Sequence, residues 1–239
     1  MEIQIPTASF DDIDSFEEYN KIIFQHDVFV LILAKIDSVL QDSKACDWDS
    51  QEEAEIMRCR IEKRRSEKLT GKWCVKKAFQ FLNQGEINIH SDSHAPKVYR
   101  NGKQLTDWFV SISHSYGWVG AAVSKTKIGF DLEKQRFFKD SLRGFFCNDF
   151  ELSQLSRLKE NEVQICSLQF FCGKEAILKT LGLGIAGGPE KAIVKQLQRK
   201  KWVDAEYLDR QFKVFFTRPQ EMGLCICLDN EIKFLPLSS

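Results

Sequence analysis

Trp108-Phe-Val-Ser-Ile-Ser113, His114-Ser-Tyr-Gly117, Trp118-Val-Gly-Ala-Ala-Val123 and Lys127-Ile-Gly-Phe-Asp-Leu-Glu133 form the stretch on which the reading of the fold turns. The first and third runs are short, apolar and rich in β-branched and aromatic residues, and the second is a tight connection ending in glycine. Together they read as strand, turn, strand. Lys125-Thr126 makes the turn into the last run, so the stretch predicts a β-meander that ends in two acids.

Outward from this stretch the pattern changes. Toward the N-terminus, Val28-Phe-Val-Leu-Ile-Leu-Ala34 is too short to span a bilayer and reads as a buried strand. Ser15-Phe-Glu-Glu18 and Ser50-Gln-Glu-Glu53 have the form of capping boxes, and the second predicts a long helix running through Leu82, interrupted only by Gly71. Arg58, Arg60, Lys63, Arg64, Arg65, Lys68, Lys72, Lys76 and Lys77 crowd this helix, mostly as a solvated face. Toward the C-terminus, a helix is predicted from about Glu162 to Leu181, stopped by Gly182 and Gly184. Phe212-Lys-Val-Phe-Phe-Thr217 and Leu224-Cys-Ile-Cys-Leu228 then read as a terminal strand pair. The class is α+β.

Composition narrows the function classes. The chain has 239 residues, 43% of them apolar, which is enough for a substantial core in one domain or two. Its 34 basic and 34 acidic residues cancel, so no overall field draws it to nucleic acid or an anionic membrane, and any anion site must be local. The eight cysteines are dispersed without zinc or dithiol spacing and read as reduced core residues, Cys225 and Cys227 included. Met1-Glu2-Ile3-Gln4 has no signal-peptide character, and the expectation is a cytoplasmic protein.

Three segments carry chemistry. Alternation along Ile128-Gly-Phe-Asp-Leu-Glu133 puts Asp131 and Glu133 on one strand face, their α-carbons about 7 Å apart. Such a pair suits magnesium or manganese, although two ordinary acids on an edge strand fit the same pattern. In Phe171-Cys-Gly-Lys-Glu-Ala-Ile-Leu-Lys179 the helical period brings Glu175 and Lys179, one turn apart, onto the apolar side. Burying charge is expensive, so that arrangement favours a site over a structural ion pair. Ser111-Ile-Ser-His-Ser115 places Ser113 and His114 at a strand end before Gly117, where side chains and amides can hold a phosphate.

In this order and spacing the segments resemble the phosphopantetheinyl transferase superfamily, whose motifs read approximately S-x-S-H-S, I-G-x-D-x-E and W-x-x-K-E-A-x-x-K. Weaker echoes are Leu69-Thr-Gly-Lys72 and Phe145-Phe146. Phe171 stands where the family has tryptophan, and Ala95-Pro96-Lys97 where it has G-K-P. The length points to the Sfp-like type.

That resemblance implies two similar α/β halves related by a pseudo-twofold, with the active site between them. The first, 1–124, would contribute to binding the nucleotide of coenzyme A, and the second, 125–239, would carry the metal and catalytic carboxylates. It implies Mg2+ or Mn2+ on Asp131, Glu133 and Glu175, catalysis by Glu175 and Lys179, and the coenzyme held by Ser113, His114, Lys72, Lys97, Arg65 and Lys179. The partners would be coenzyme A and an apo carrier protein, with no nucleic acid or membrane, and the enzyme a monomer. An acidic pair followed by E-x-x-x-K also fits a metal-dependent nuclease or phosphohydrolase, and a non-catalytic module binding coenzyme A or a carrier is the third reading. Among Phe137, Phe138, Phe145, Phe146 and Phe150, core packing is the expected fate of most, with an apolar docking patch as the alternative.

Overall fold

The computed structural model describes residues 5–91, 95–195 and 201–229. The division between two compact units falls between Lys127 and Ile128.

The first unit runs β1 (Thr7–Ser9), β2 (Lys21–Gln25), β3 (Phe29–Lys35), α1 (Ile36–Val39), α2 (Ser50–Met57), α3 (Glu62–Phe81), β4 (Asn88–Ser91), β5 (Pro96–Arg100), β6 (Lys103–Gln104), β7 (Phe109–Ser115) and β8 (Trp118–Ser124). One sheet has the order β1-β2-β3-β8-β7, and β4-β5-β6 form a second, smaller one. The apolar run at Val28 leads into strand β3, buried from Phe29 to Ala34 and paired antiparallel to both β2 and β8. Helix α3 lies across β3, β7 and β8, and Gly71 is what lets it come close: a Cβ there would stand 2.8 Å from Ile112 Cγ2. Trp73, Cys74 and Phe79 of α3 fill the core with Val30, Ile32 and Val123.

The expected single helix from Ser50 to Leu82 is two. α2 ends at Met57 and α3 begins at Glu62. In an unbroken helix Glu55 and Lys72 would lie about 25 Å apart. Here they form an ion pair of 2.8 Å, so the chain must turn back between them. The capping box of α2 also sits one residue earlier than read, on Asp49 and Glu52. Ser15 does not begin a helix but lies within the 3-10 segment Phe10–Glu18. Glu52 and Glu55 of α2 serve a further purpose: their carboxylates accept hydrogen bonds from the backbone amides of Ile89 and Ser91 on β4.

The second unit runs β9 (Ile128–Lys134), α4 (Asp140–Phe146), α5 (Asp149–Leu155), α6 (Glu160–Leu181), β10 (Ala192–Val194), β11 (Trp202–Tyr207), β12 (Arg210–Thr217) and β13 (Met222–Asp229), with sheet order β10-β11-β12-β13-β9. The predicted meander is therefore corrected. β7 and β8 form the hairpin, but β9 leaves them and pairs antiparallel with β13, from Ile128↔Leu228 to Lys134↔Met222. Alternation had identified the strand; it carries no information on a partner about 90 residues away.

α6 ends as its glycines dictate, with Gly182 in the left-handed conformation as C-cap. It packs on β9, β13 and β12. Two glycines let it come close, Gly129 as far as backbone contact. A Cβ on Gly129 would collide with the Ala176 carbonyl and the Thr180 hydroxyl, and one on Gly223 would stand 2.8 Å from Leu168 Cγ and 3.1 Å from Cys172 Sγ. Of the five phenylalanines, Phe138 and Phe146 are buried, while Phe137, Phe145 and Phe150 are exposed, so core packing takes fewer of them than expected. Phe171 packs against Phe138 and Phe146, with Arg136 over its ring. Cys225 and Cys227 are fully buried, and burial pushes both thiols up, Cys227 to about 12.

Gly129→Ala should therefore cost at least about 2 kcal/mol, because neither a helix carbonyl nor a strand backbone can give way. Gly144→Ala, in α4 with open space around it, should gain roughly 0.5–1 kcal/mol from helix propensity. Urea denaturation of the two variants measures the contrast, and equal midpoints would refute the contact.

Candidate active site

The close approach of α6 to β9 determines which side chains meet. Gly129 faces the helix, so by alternation Asp131 and Glu133 project from that same face. Lys179, near the end of α6, donates to Asp131 Oδ1 at 2.7 Å and to the Phe130 carbonyl at 3.2 Å. Glu133 is paired with Arg136 at 3.3 Å.

Glu175 stands one turn before Lys179, and its Oε1 is buried with no hydrogen-bond partner. Burial pushes its carboxyl above the usual value, the Asp131 and Glu133 charges push it further, and Lys179 opposes them. The three acids thus share one neighbourhood and repel. Among the described residues no three acidic, histidine or cysteine side chains already converge on a point that would hold an ion. The donor set nevertheless fits a hard divalent cation. It consists of carboxylate oxygens, one of them unpaired and buried, in a cluster whose excess negative charge a cation would offset.

Residues of the first unit stand in part as read. Ser113 and His114 lie in the last three residues of β7, opposite Gly120 and Val119 of β8, close to the strand end expected. The turn follows at Tyr116 and Gly117, both with positive φ. Ser113 is buried. His114 is partly exposed, with Nδ1 3.5 Å from Glu67 Oε1 and Nε2 3.4 Å from Arg64 Nη1. Arg64 also pairs with Glu67, at 3.3 Å. Arg64 thus joins the histidine, whereas the resemblance had offered its neighbour Arg65 for the coenzyme phosphate. Arg65 instead donates to the Cys59 carbonyl at 3.1 Å, inside the turn between α2 and α3. The spacing of Arg64 and Glu67, three apart on a helix, was the available signal. Lys97 is half-buried on β5, opposite His90.

Lys72 is a correction. It is 1% exposed, donating to Glu55 Oε2 and to the Ile89 carbonyl. An ammonium so enclosed is part of the interior and offers nothing to a coenzyme phosphate. Its place in the family-like segment follows from its helix position, and the helical period put it on the core side.

Residues 127–227 match the family model described as the 4′-phosphopantetheinyl transferase superfamily. The match contains Asp131, Glu133, Glu175 and Lys179 and leaves Ser113 and His114 outside it. The chain therefore carries that superfamily's pattern through its second unit, and phosphopantetheinyl transfer in general is the activity this similarity indicates. No curated protein matches the chain at a significant level. Among the described residues no helix is long and apolar enough to cross a membrane.

The Glu55–Lys72 pair yields a pH dependence. Burial alone would raise Glu55, but Lys72 and the Ser91 amide more than offset it and hold the carboxyl below its ordinary 4.5. A depressed carboxylate stabilises the fold above the unfolded pKa, and that contribution disappears as pH falls through the folded value. Urea midpoints followed downward from neutral pH should thus fall more steeply below pH 4.5 in the parent than in Glu55→Gln, which is less stable at neutral pH; parallel curves would contradict the assignment.

Proposed function

We propose that this protein transfers the 4′-phosphopantetheine group of coenzyme A to a serine of an apo carrier protein, giving the holo carrier and 3′,5′-ADP. The single observation that carries the reading is the unpaired buried oxygen of Glu175, set among Asp131 and Glu133 beside Lys179, inside the family-matched span. A purely structural cluster would pair that oxygen.

Asp131, Glu133 and Glu175 would hold Mg2+ or Mn2+. Such an ion, when bound, supplies charge neutralisation to the coenzyme pyrophosphate. Lys179 is the fixed positive charge for the phosphate under attack. The carrier serine oxygen forms the new bond to phosphorus, the bond from phosphorus to the 3′,5′-ADP oxygen breaks, and the serine proton passes to Glu175. The nucleotide end is assigned to Ser113, His114 and Lys97, with Arg64 in the place first given to Arg65. The eight cysteines have no part, since the transfer needs no covalent enzyme intermediate.

Intact-mass spectrometry of apo carrier proteins incubated with the protein, coenzyme A and Mg2+ tests the reading. One added phosphopantetheine is expected, absent with chelator. Asp131→Ala should reduce the rate at least about a thousandfold while the circular dichroism spectrum stays native. Magnesium-dependent cleavage of DNA or a phosphate ester without transfer would favour the nuclease or phosphohydrolase reading. Binding of coenzyme A with no transfer to any carrier would favour a non-catalytic module.

A further inference from the structure

Lys174 precedes Glu175 in the sequence and looks like another cation for phosphate. It is instead fully buried, as is its partner Glu151, at 2.6 Å. All its donors have acceptors: Glu151 Oε2, the Ala192 carbonyl at 2.6 Å and the Pro189 carbonyl at 3.2 Å. Glu151 in turn accepts from the Asn148 amide at 3.0 Å, closing the capping box of α5, and from the Val194 amide at 3.3 Å. One ion pair therefore ties α6 to the start of α5, to β10 and to the segment that leads into it.

An apolar core around Phe146, Cys147 and Leu155 has no evident need of two charges, and a buried pair is often no more stable than apolar side chains of the same volume. What it adds is direction. The glycine contacts on β9 and β13 fix how near α6 lies to the sheet, but van der Waals contact resists rotation weakly, whereas hydrogen bonds weaken steeply off axis. Adjacent helix residues are about 100° apart, so the bonds at Lys174, buried where those of Lys179 to β9 are only half-buried, help set the azimuth of Glu175. That azimuth is one Glu175 would relax from, given its unpaired oxygen and the repulsion of Asp131 and Glu133.

We propose that the buried Lys174–Glu151 pair is a positioning element that holds Glu175 against Asp131 and Glu133. The inference deepens the metal-site reading above and rests on it for its consequence, though not for its geometry.

The test compares the full chain with Lys174→Met/Glu151→Gln, which removes both charges while the amide oxygen still accepts from one of the two backbone donors, Asn148 or Val194. Two readouts are taken: Mn2+ affinity by calorimetry, and hydrogen exchange of residues 174–181 by mass spectrometry. With the fold retained, Mn2+ affinity should fall about tenfold or more, and exchange in 174–181 should accelerate while α3 is unchanged. Parental affinity and parental exchange in the folded variant would overturn the proposal. Lys174→Arg keeps the charge and serves if the double variant does not fold: it should still weaken Mn2+ several-fold, and unchanged affinity would again overturn it. If the parent binds no Mn2+, the metal reading fails, and exchange alone decides whether the pair positions the helix.

Discussion

The second unit depends on a helix lying on its sheet at backbone distance. Gly129 and Gly223 face α6 from neighbouring strands, and the helix residues they admit, Ala176 and Thr180 in one case and Leu168 and Cys172 in the other, are spaced two turns apart along its length. Two such contacts define a line, so the helix has little freedom to tilt. This explains why carboxylates on β9 and α6, more than 40 residues apart in sequence, share one neighbourhood. A side chain of ordinary size at either glycine would hold the two elements apart and separate the acids.

Much of this was legible beforehand, and the limits have physical causes. A continuous apolar run revealed β3, short strand-like runs revealed β7, β8, β9, β12 and β13, and helical period with terminal glycines revealed α6, because each signal is local. Pairing is not local. β9 was read as the third strand of a meander since nothing in its own residues names β13 as its partner. The helix break at Arg58–Ile61 was missed for a related reason: no proline or glycine marks it, and what enforces it is the meeting of Glu55 with Lys72. Long-range ion pairs leave no period in a sequence.

The candidate site divides in the same way. Asp131, Glu133, Glu175 and Lys179 could be read from motif and face, and the structure gathers them. The basic residues of α3 were harder, because lysines and arginines snorkel and the same helix carries solvated, bridging and buried examples. Lys72 turned inward, Arg65 closed a turn, and Arg64 reached the histidine. Lys174, beside the candidate catalytic glutamate, belongs to the scaffold, and nothing in the motif distinguishes it from Lys179 in that respect.

Glu52 and Glu55 also do something for the small sheet that strand pairing does not. β4 presents the amides of Ile89 and Ser91 away from β5, and an uncovered row of this kind is a template on which another chain can add a strand. Here a helix offers carboxylates in place of a neighbouring strand. The guard is chemical as well as steric, because the carboxylates occupy the donors that an added strand would have to use. Shortening either side chain would therefore do more than loosen one helix: it would leave an adhesive border open on the smaller sheet.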